Sequence, residues 1–284
     1  MKVFYRKEQV GPAQHSSPSA HKPRLVVEDW TRVFGASIEI CSFEPVTEAQ
    51  IARAHQPEFV KGVLTGTVAN GFGNRDPKVA ASLAFTSGSL LAAAEYAVLH
   101  KEVVCSPTSG FHHAGYRRAG GYCTFNGLMV TALALKDAGL VSRVAILDCD
   151  AHYGDGTDSI IEALCIDWIE HHTQGLKFGM AHNAANGAYE RWLDAAIEKC
   201  KGCDVVLYQA GADPHVDDPL GGILTTEQLG ARDRIVFEKL GHLPMVWNLA
   251  GGYQVVAGDT QAQQIEPVLA LHRETARLHC EIFG

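Results

Sequence analysis

No uninterrupted apolar run in this chain approaches the roughly 20 residues that a membrane-crossing helix needs, so no membrane partner is expected. Met1 to Val10 carry no long apolar stretch followed by a small-residue cleavage site, and no secretory leader is read there. Low-complexity tracts, internal repeats and a linker-like stretch are missing too, which points to a single domain over residues 1–284. Positive charge is not in surplus. The formal net charge is −8, which argues against nucleic acid as a partner and leaves room for a cationic substrate. The eight cysteines have no leader beside them and read as reduced thiols of a cytoplasmic protein. Cys105, Cys123, Cys149 and Cys165 lie in or near apolar segments, as small buried hydrophobes do. Cys200 and Cys203 form a lone CxxC, without the second CxxC or spaced His that would make a metal site of it.

What the chain does have is enough for a large core: 284 residues, 46% hydrophobic and 20% charged, with 28 Gly and 11 Pro. Five β-rich segments stand out, Glu102 to Cys105, Arg143 to Asp148, Asp167 to His171, Asp204 to Gln209 and Pro244 to Leu249, with weaker ones at Lys2 to Tyr5 and Ser37 to Ser42. Short, near-continuous apolar runs fit strands buried on both faces of a parallel sheet. Segments of helical character lie between them: Phe85 to His100, Phe125 to Ala138, Ala188 to Cys200, Thr225 to Leu240 and Gln263 to Ile282. Strand alternating with helix predicts an α/β fold, a mostly parallel sheet flanked by helices.

Fourteen His are more telling, because several stand beside Asp and Gly just after the expected strands. The five strands lead to His112-His113, to Asp148-Cys-Asp-Ala-His152 and on to Asp155, to His171-His172, to Asp213-Pro-His215, and to Gly251-Gly-Tyr253. In open α/β sheets, ligands bind outside the carboxyl ends of the strands, so these side chains are expected at one edge. Asp150-Ala-His152 places a carboxylate and an imidazole two apart, on one side of an extended strand end. Asp213 adds a second carboxylate. Two Asp and one His with open positions describe a catalytic divalent site, suited to zinc and also to iron(II) or another transition metal. A lone DxH is more often a turn or a helix N-cap, and it is the neighbouring clusters that give this one its chemical reading. His112 and His113 would each be held by a carboxylate, with Asp148 and Asp155 the candidates, giving proton chemistry near neutral pH. Tyr253, after two glycines, is either a core aromatic or a donor to a developing oxyanion.

These residues also carry a family resemblance. Phe111-His-His-Ala-Gly115, Gly120-Gly-Tyr-Cys-Thr-Phe-Asn126, Ile146-Leu-Asp-Cys-Asp-Ala-His-Tyr-Gly-Asp-Gly-Thr157, Gly211-Ala-Asp213, Asp218-Pro-Leu-Gly221 and Gly251-Gly-Tyr253 resemble the histone deacetylase-like family of the arginase–deacetylase superfamily. Arg53-Ala-His-Gln-Pro-Glu-Phe-Val60 looks like its N-terminal segment, and the motifs run in the family's order. The resemblance implies a zinc-dependent amidohydrolase that removes acetyl or other short acyl groups from an amine by means of a metal-activated water. By the same resemblance Asp150, His152 and Asp213 look like the zinc ligands, and His113, oriented by Asp155, like the general base and acid. His112 with Asp148 looks like its electrostatic partner, and Tyr253 like the stabiliser of the oxyanion. Gly121 and Tyr122 match the substrate tunnel. A structural potassium site is implied around Asp148, Asp150 and His152, with largely backbone ligands that include the His171 or His172 carbonyl.

The implied substrate is an acetylated lysine peptide or protein, with small acetylated amines such as acetylpolyamines as the alternative. A binuclear ureohydrolase would share the fold but calls for a DAHxD run, and Gly154 interrupts that pattern here. A non-catalytic acyl-binding protein is disfavoured because no ligand or catalytic group is missing. The chain departs from the family where Thr108-Ser-Gly-Phe-His replaces a Pro-Gly-His approach, where Tyr153 replaces a second His, and in the short segment after His172. Phe178 is the candidate for the tunnel wall opposite Tyr122, and His15 with Ser16-Ser17-Pro18 for the pocket mouth.

Overall fold

The apolar runs become seven short strands in a computed structural model, which describes residues 1–12, 17–177 and 187–284. They are β1 (Lys2–Phe4), β2 (Glu39–Cys41), β3 (Val103–Cys105), β4 (Val144–Asp148), β5 (Ile169–Thr173), β6 (Val205–Gln209) and β7 (Met245–Asn248). All pair in parallel, in the order β2-β1-β3-β7-β6-β4-β5. Period-two alternation then divides the inner strands between two cores. Ala145, Leu147, Val206, Tyr208, Met245 and Trp247 face one side, where Leu25, Trp30, Leu193, Phe237 and Val268 of four helices cover them. Val144, Ile146, Val205, Leu207 and Val246 face the other, under Ile51, Phe59, Leu90, Leu128 and Ile160. Burial on both faces is why the central strands read as unbroken apolar runs.

Several expected elements shift. The helix read from Phe85 begins at Pro77 and runs to His100, with Asp76 accepting from the Lys78 N–H as its N-cap. Among the described residues it is the one helix long and apolar enough to cross a membrane by composition. Leu90, Ala93, Ala94 and Ala97 are buried in the protein core instead. The last helical segment is two, Gln261–Gln264 and Glu266–Phe283, with Pro267 in the opening turn of the second. Strand β5 lies two residues later than read, so His172 and Thr173 also belong to the strand and not to a loop beyond it. Cys165 is exposed, against expectation, in the turn after the helix Asp155–Ala163. His15, Ser16 and Phe178 lie outside the described residues.

Candidate active site

Four neighbouring strands, β3, β7, β6 and β4, occupy the middle of the sheet, and the chain leaves each of their carboxyl ends toward one place. After β3 come His112 and His113, after β4 Asp150 and His152, after β6 Asp213, and after β7 Tyr253. The fifth segment does not contribute in the way expected. β5 is an edge strand, where the His171 Nδ1 bonds Asp158 at 2.7 Å and His172 lies 3.6 Å from Glu170.

Asp150, His152 and Asp213 bring one ligand atom each to within 4.8 Å of the others. The Asp150–His152 pairing does not come from strand alternation, because β4 ends at Asp148. A tight turn forms it: the His152 N–H donates to Asp150 Oδ1 at 3.0 Å, folding the chain so that His152 Nδ1 also lies 3.0 Å from that oxygen. Backbone N–H groups hold two more carboxylate oxygens, Gly251 N to Asp150 Oδ2 at 2.8 Å and Ala151 N to Asp213 Oδ1 at 3.1 Å. Asp213 Oδ2 is buried and makes no hydrogen bond, although the His152 Nδ1 is 2.9 Å away, off the bonding direction. A buried, unpartnered carboxylate oxygen facing an imidazole nitrogen is a donor set with room for a cation, so these residues fit a divalent metal. Gly251 is required where it stands, because a Cβ there would lie 2.4 Å from Asp213 Oδ2 and 2.7 Å from Asp150 Oδ2.

Charge in this cluster is tightly balanced. Burial and the Asp150 charge push the Asp213 carboxyl up to about 8. Burial acts the same way on Asp150, but the His112 and His152 side chains outweigh it and hold that carboxyl well below its usual range. The hydrogen bond to Asp150 and the adjacent Asp213 carboxylate raise His152 to about 11.

The histidine pair is held as the sequence suggested. The His112 Nδ1 is 2.7 Å from Asp148 Oδ2, and the His113 Nδ1 is 2.6 Å from Asp155 Oδ1. Their environments separate them. Burial works against the charge on His112, yet the Asp148 and Asp150 carboxylates raise it to about 9. Burial and the neighbouring His112 charge lower His113, outweighing Asp155. One imidazole is therefore biased to hold its proton and the other to be free to accept one. Arg118 braces Asp155 from outside, Nη2 to Oδ2 at 2.6 Å. Asp155 opens the helix Asp155–Ala163, where the N-terminal dipole favours its negative charge.

Tyr253 lies across the cluster, its ring 6.4 Å from the His152 ring and 5.9 Å from that of Tyr122. Burial and the Asp150 and Asp213 charges hold its phenol well above the usual range, so it stays a hydrogen-bond donor. Its backbone is pinned from two sides. Tyr253 N donates to Asp218 Oδ2 at 2.7 Å, and the fully buried Lys22 donates to the carbonyls of Ala250 and Gly251 at 2.6 and 3.0 Å. Tyr122 lies tilted against Phe72, ring to ring at 5.9 Å, and both line a cavity of about 60 Å³ with His112, Asp150 and Tyr253. Gly121 precedes it at a φ of 51°.

Every side chain singled out as a ligand or proton-handling group thus lies at this one edge. Lys22, Arg118 and Phe72 were missed by the sequence reading, and so was the part played by Asp218. Lys22 gave no local signal at all, since it acts on backbone carbonyls across 228 residues of sequence.

The sequence profile of the histone deacetylase domain matches residues 19–175, more than half of the chain. An uncharacterized protein of Picosynechococcus sp. is 27% identical over 247 residues, 79% of each chain. Acetylpolyamine amidohydrolase 1 of Pseudomonas aeruginosa is 30% identical over 182 residues, covering 54% of this chain and 51% of that enzyme. The chain therefore spans about half the length of that relative. A crystal structure of an acetylpolyamine aminohydrolase from Burkholderia pseudomallei superposes over 100% of both chains with a TM-score of 0.76 at 19% identity, a likeness of fold.

Proposed function

The chain belongs to the histone deacetylase family, and from that premise we propose that it is a metal-dependent amidohydrolase releasing acetyl or another short acyl group from an amine such as the lysine side chain. The observation that carries this reading is the neutral-biased His113, held by Asp155, beside the Asp150–His152–Asp213 donor set. Those three residues would hold the cation, zinc in this reading or else iron(II), which when bound polarises the amide carbonyl and lets water ionise near neutral pH. A structural potassium ion on backbone oxygens around Asp148 belongs to the same proposal and takes no part in the chemistry.

The chain's own groups do the rest. Asp155 fixes the proton of His113 on Nδ1, leaving Nε2 to take a proton from the attacking water. His113 then returns that proton to the leaving nitrogen as the C–N bond breaks. Tyr253 donates its hydroxyl to the oxygen that gains charge, and His112, charge-stabilised by Asp148, balances the site. Tyr122 and Phe72 flank the aliphatic stem of the amine. The products are a short carboxylate and a free amine.

The test is acetate release from an acetyl-lysine peptide. His113→Ala is expected to fold, to bind metal and to lose turnover, while Tyr253→Phe keeps its metal and loses about 3 kcal/mol of transition-state stabilisation, on the order of a hundredfold in kcat. Wild-type turnover by His113→Ala would overturn the assignment. The 30% identity to the acetylpolyamine enzyme supports a second reading, in which the amine is a small polycation. A higher kcat/KM on acetylated diamines than on the peptide would select it.

A further inference from the structure

One buried charge beside the site is not used by this mechanism. Arg232, in the helix Thr226–Leu240, is 2% exposed, and so is its neighbour Asp233. A buried ion pair costs desolvation and is weak evidence for stability by itself, so what the guanidinium touches matters more. Its Nη1 donates to two carbonyls, Gly211 O at 2.7 Å and Cys149 O at 3.2 Å. Cys149 sits between Asp148 and Asp150, just beyond β4. Gly211 stands two residues before Asp213, beyond β6.

At this point the sheet stops holding the two segments together. The last backbone bond between them is Cys149 N to Gln209 O, 3.1 Å. The next cross-link, Ala151 N to Asp213 Oδ1, already involves a candidate ligand. Between the two, a single guanidinium nitrogen joins the chains that carry Asp150 and Asp213. The guanidinium is fixed from behind as well. Nε donates to Asp233 Oδ1 at 2.8 Å, and Asp233 accepts from the Tyr208 hydroxyl on β6 and from Thr275 Oγ1 at 2.6 Å.

We propose that Arg232 is a positioning residue for the metal cluster, fixing the separation of Asp150 from Asp213 by bridging the carbonyls of Cys149 and Gly211. The inference rests on the reading of Asp150, His152 and Asp213 as metal ligands. Two carboxylates without a cation repel, and a ligand set held apart or allowed to drift binds its ion less tightly. Arginine suits the task because its planar fork reaches the carbonyls with one nitrogen and Asp233 with another, which a lysine ammonium cannot reproduce from the same Cα.

The experiment is zinc affinity, measured by competition with a chromophoric chelator on the folded, metal-stripped protein, for wild type, Arg232→Lys, Tyr208→Phe and Asp213→Ala. Arg232→Lys keeps the charge and loses the bridge, so zinc is expected to bind about 10- to 100-fold more weakly. Tyr208→Phe removes a support of Asp233 and leaves the bridge, so it is expected to lower Tm while zinc affinity holds. Should Arg232→Lys not fold, Asp233→Asn retains the guanidinium without its anchoring charge, and the same weakening is expected. Wild-type zinc affinity in whichever of these two variants folds overturns the role of Arg232. Absence of tight zinc binding in wild type, or its survival in Asp213→Ala, would instead overturn the metal site on which the inference depends.

Discussion

His113 reaches its place because Gly121 has no side chain: a Cβ there would lie 2.3 Å from His113 Cδ2, and the φ of 51° disfavours any L side chain. Gly121→Ala is therefore expected to push the imidazole aside and lower kcat on the order of a hundredfold with the metal content unchanged. Unaltered kcat in a folded variant would show that the ring has slack. At this scale the sequence was most informative where function depends on side chains adjacent in the chain. His112-His113, Asp150-Ala-His152 and Gly251-Gly-Tyr253 each have an ordinary structural use when alone, and their chemistry was legible because each follows an expected strand. Lys22 and Arg232 were illegible for the opposite reason. Each acts on backbone carbonyls far away in sequence, and such a contact requires only a cation at the right depth.

Elements were legible according to their burial. β4, β6 and β7 are covered on both faces, and their apolar runs marked them to within a residue at either end. β5, on the sheet edge and only partly buried, carries Glu170, His171 and His172, and its polarity hid its last two residues, His172 and Thr173. The helix Gly127–Asp137 shows how an element end serves the site. Its N-cap Asn126 accepts from the Met129 N–H, and its amide donates to Ala114 O and to Thr157 Oγ1, tying the histidine loop to the helix that Asp155 opens. Asn126→Ala removes the cap and strands buried partners, and is expected to cost about 2 kcal/mol. Urea unfolding at constant m-value measures it, and an unchanged midpoint would contradict this account of the loop.

Over the whole molecule, three buried histidines outside the site set an acid limit. Burial lowers His55 to about 4 despite its contact with the Gly115 carbonyl, lowers His279 to about 3, and holds His272 well below its ordinary value. His55 and His279 each accept a hydrogen bond that a second ring proton would break, from Asn126 N and from the Trp247 indole. Each group titrates lower folded than unfolded, so the stability it contributes is complete above about 6.5, the unfolded value, and drains away as pH falls toward the folded value. Unfolding free energy should decline from pH 6.5 to 4, and less steeply in His279→Gln, whose carbonyl oxygen can still accept from Trp247. Identical profiles for the two proteins would remove His279 from the account. The overall architecture was legible because alternating strands and helices admit few arrangements, and so was the meeting of strand ends at one edge; that four strands supply the cluster while His171 of β5 turns to Asp158 became visible only in the folded chain. The most direct test of the account is acetate release by metal-stripped protein before and after one equivalent of zinc per chain, with Asp213→Ala in parallel. Turnover that appears with zinc and never appears in the variant is the expected result; turnover in the stripped protein, or in zinc-treated Asp213→Ala, would contradict it.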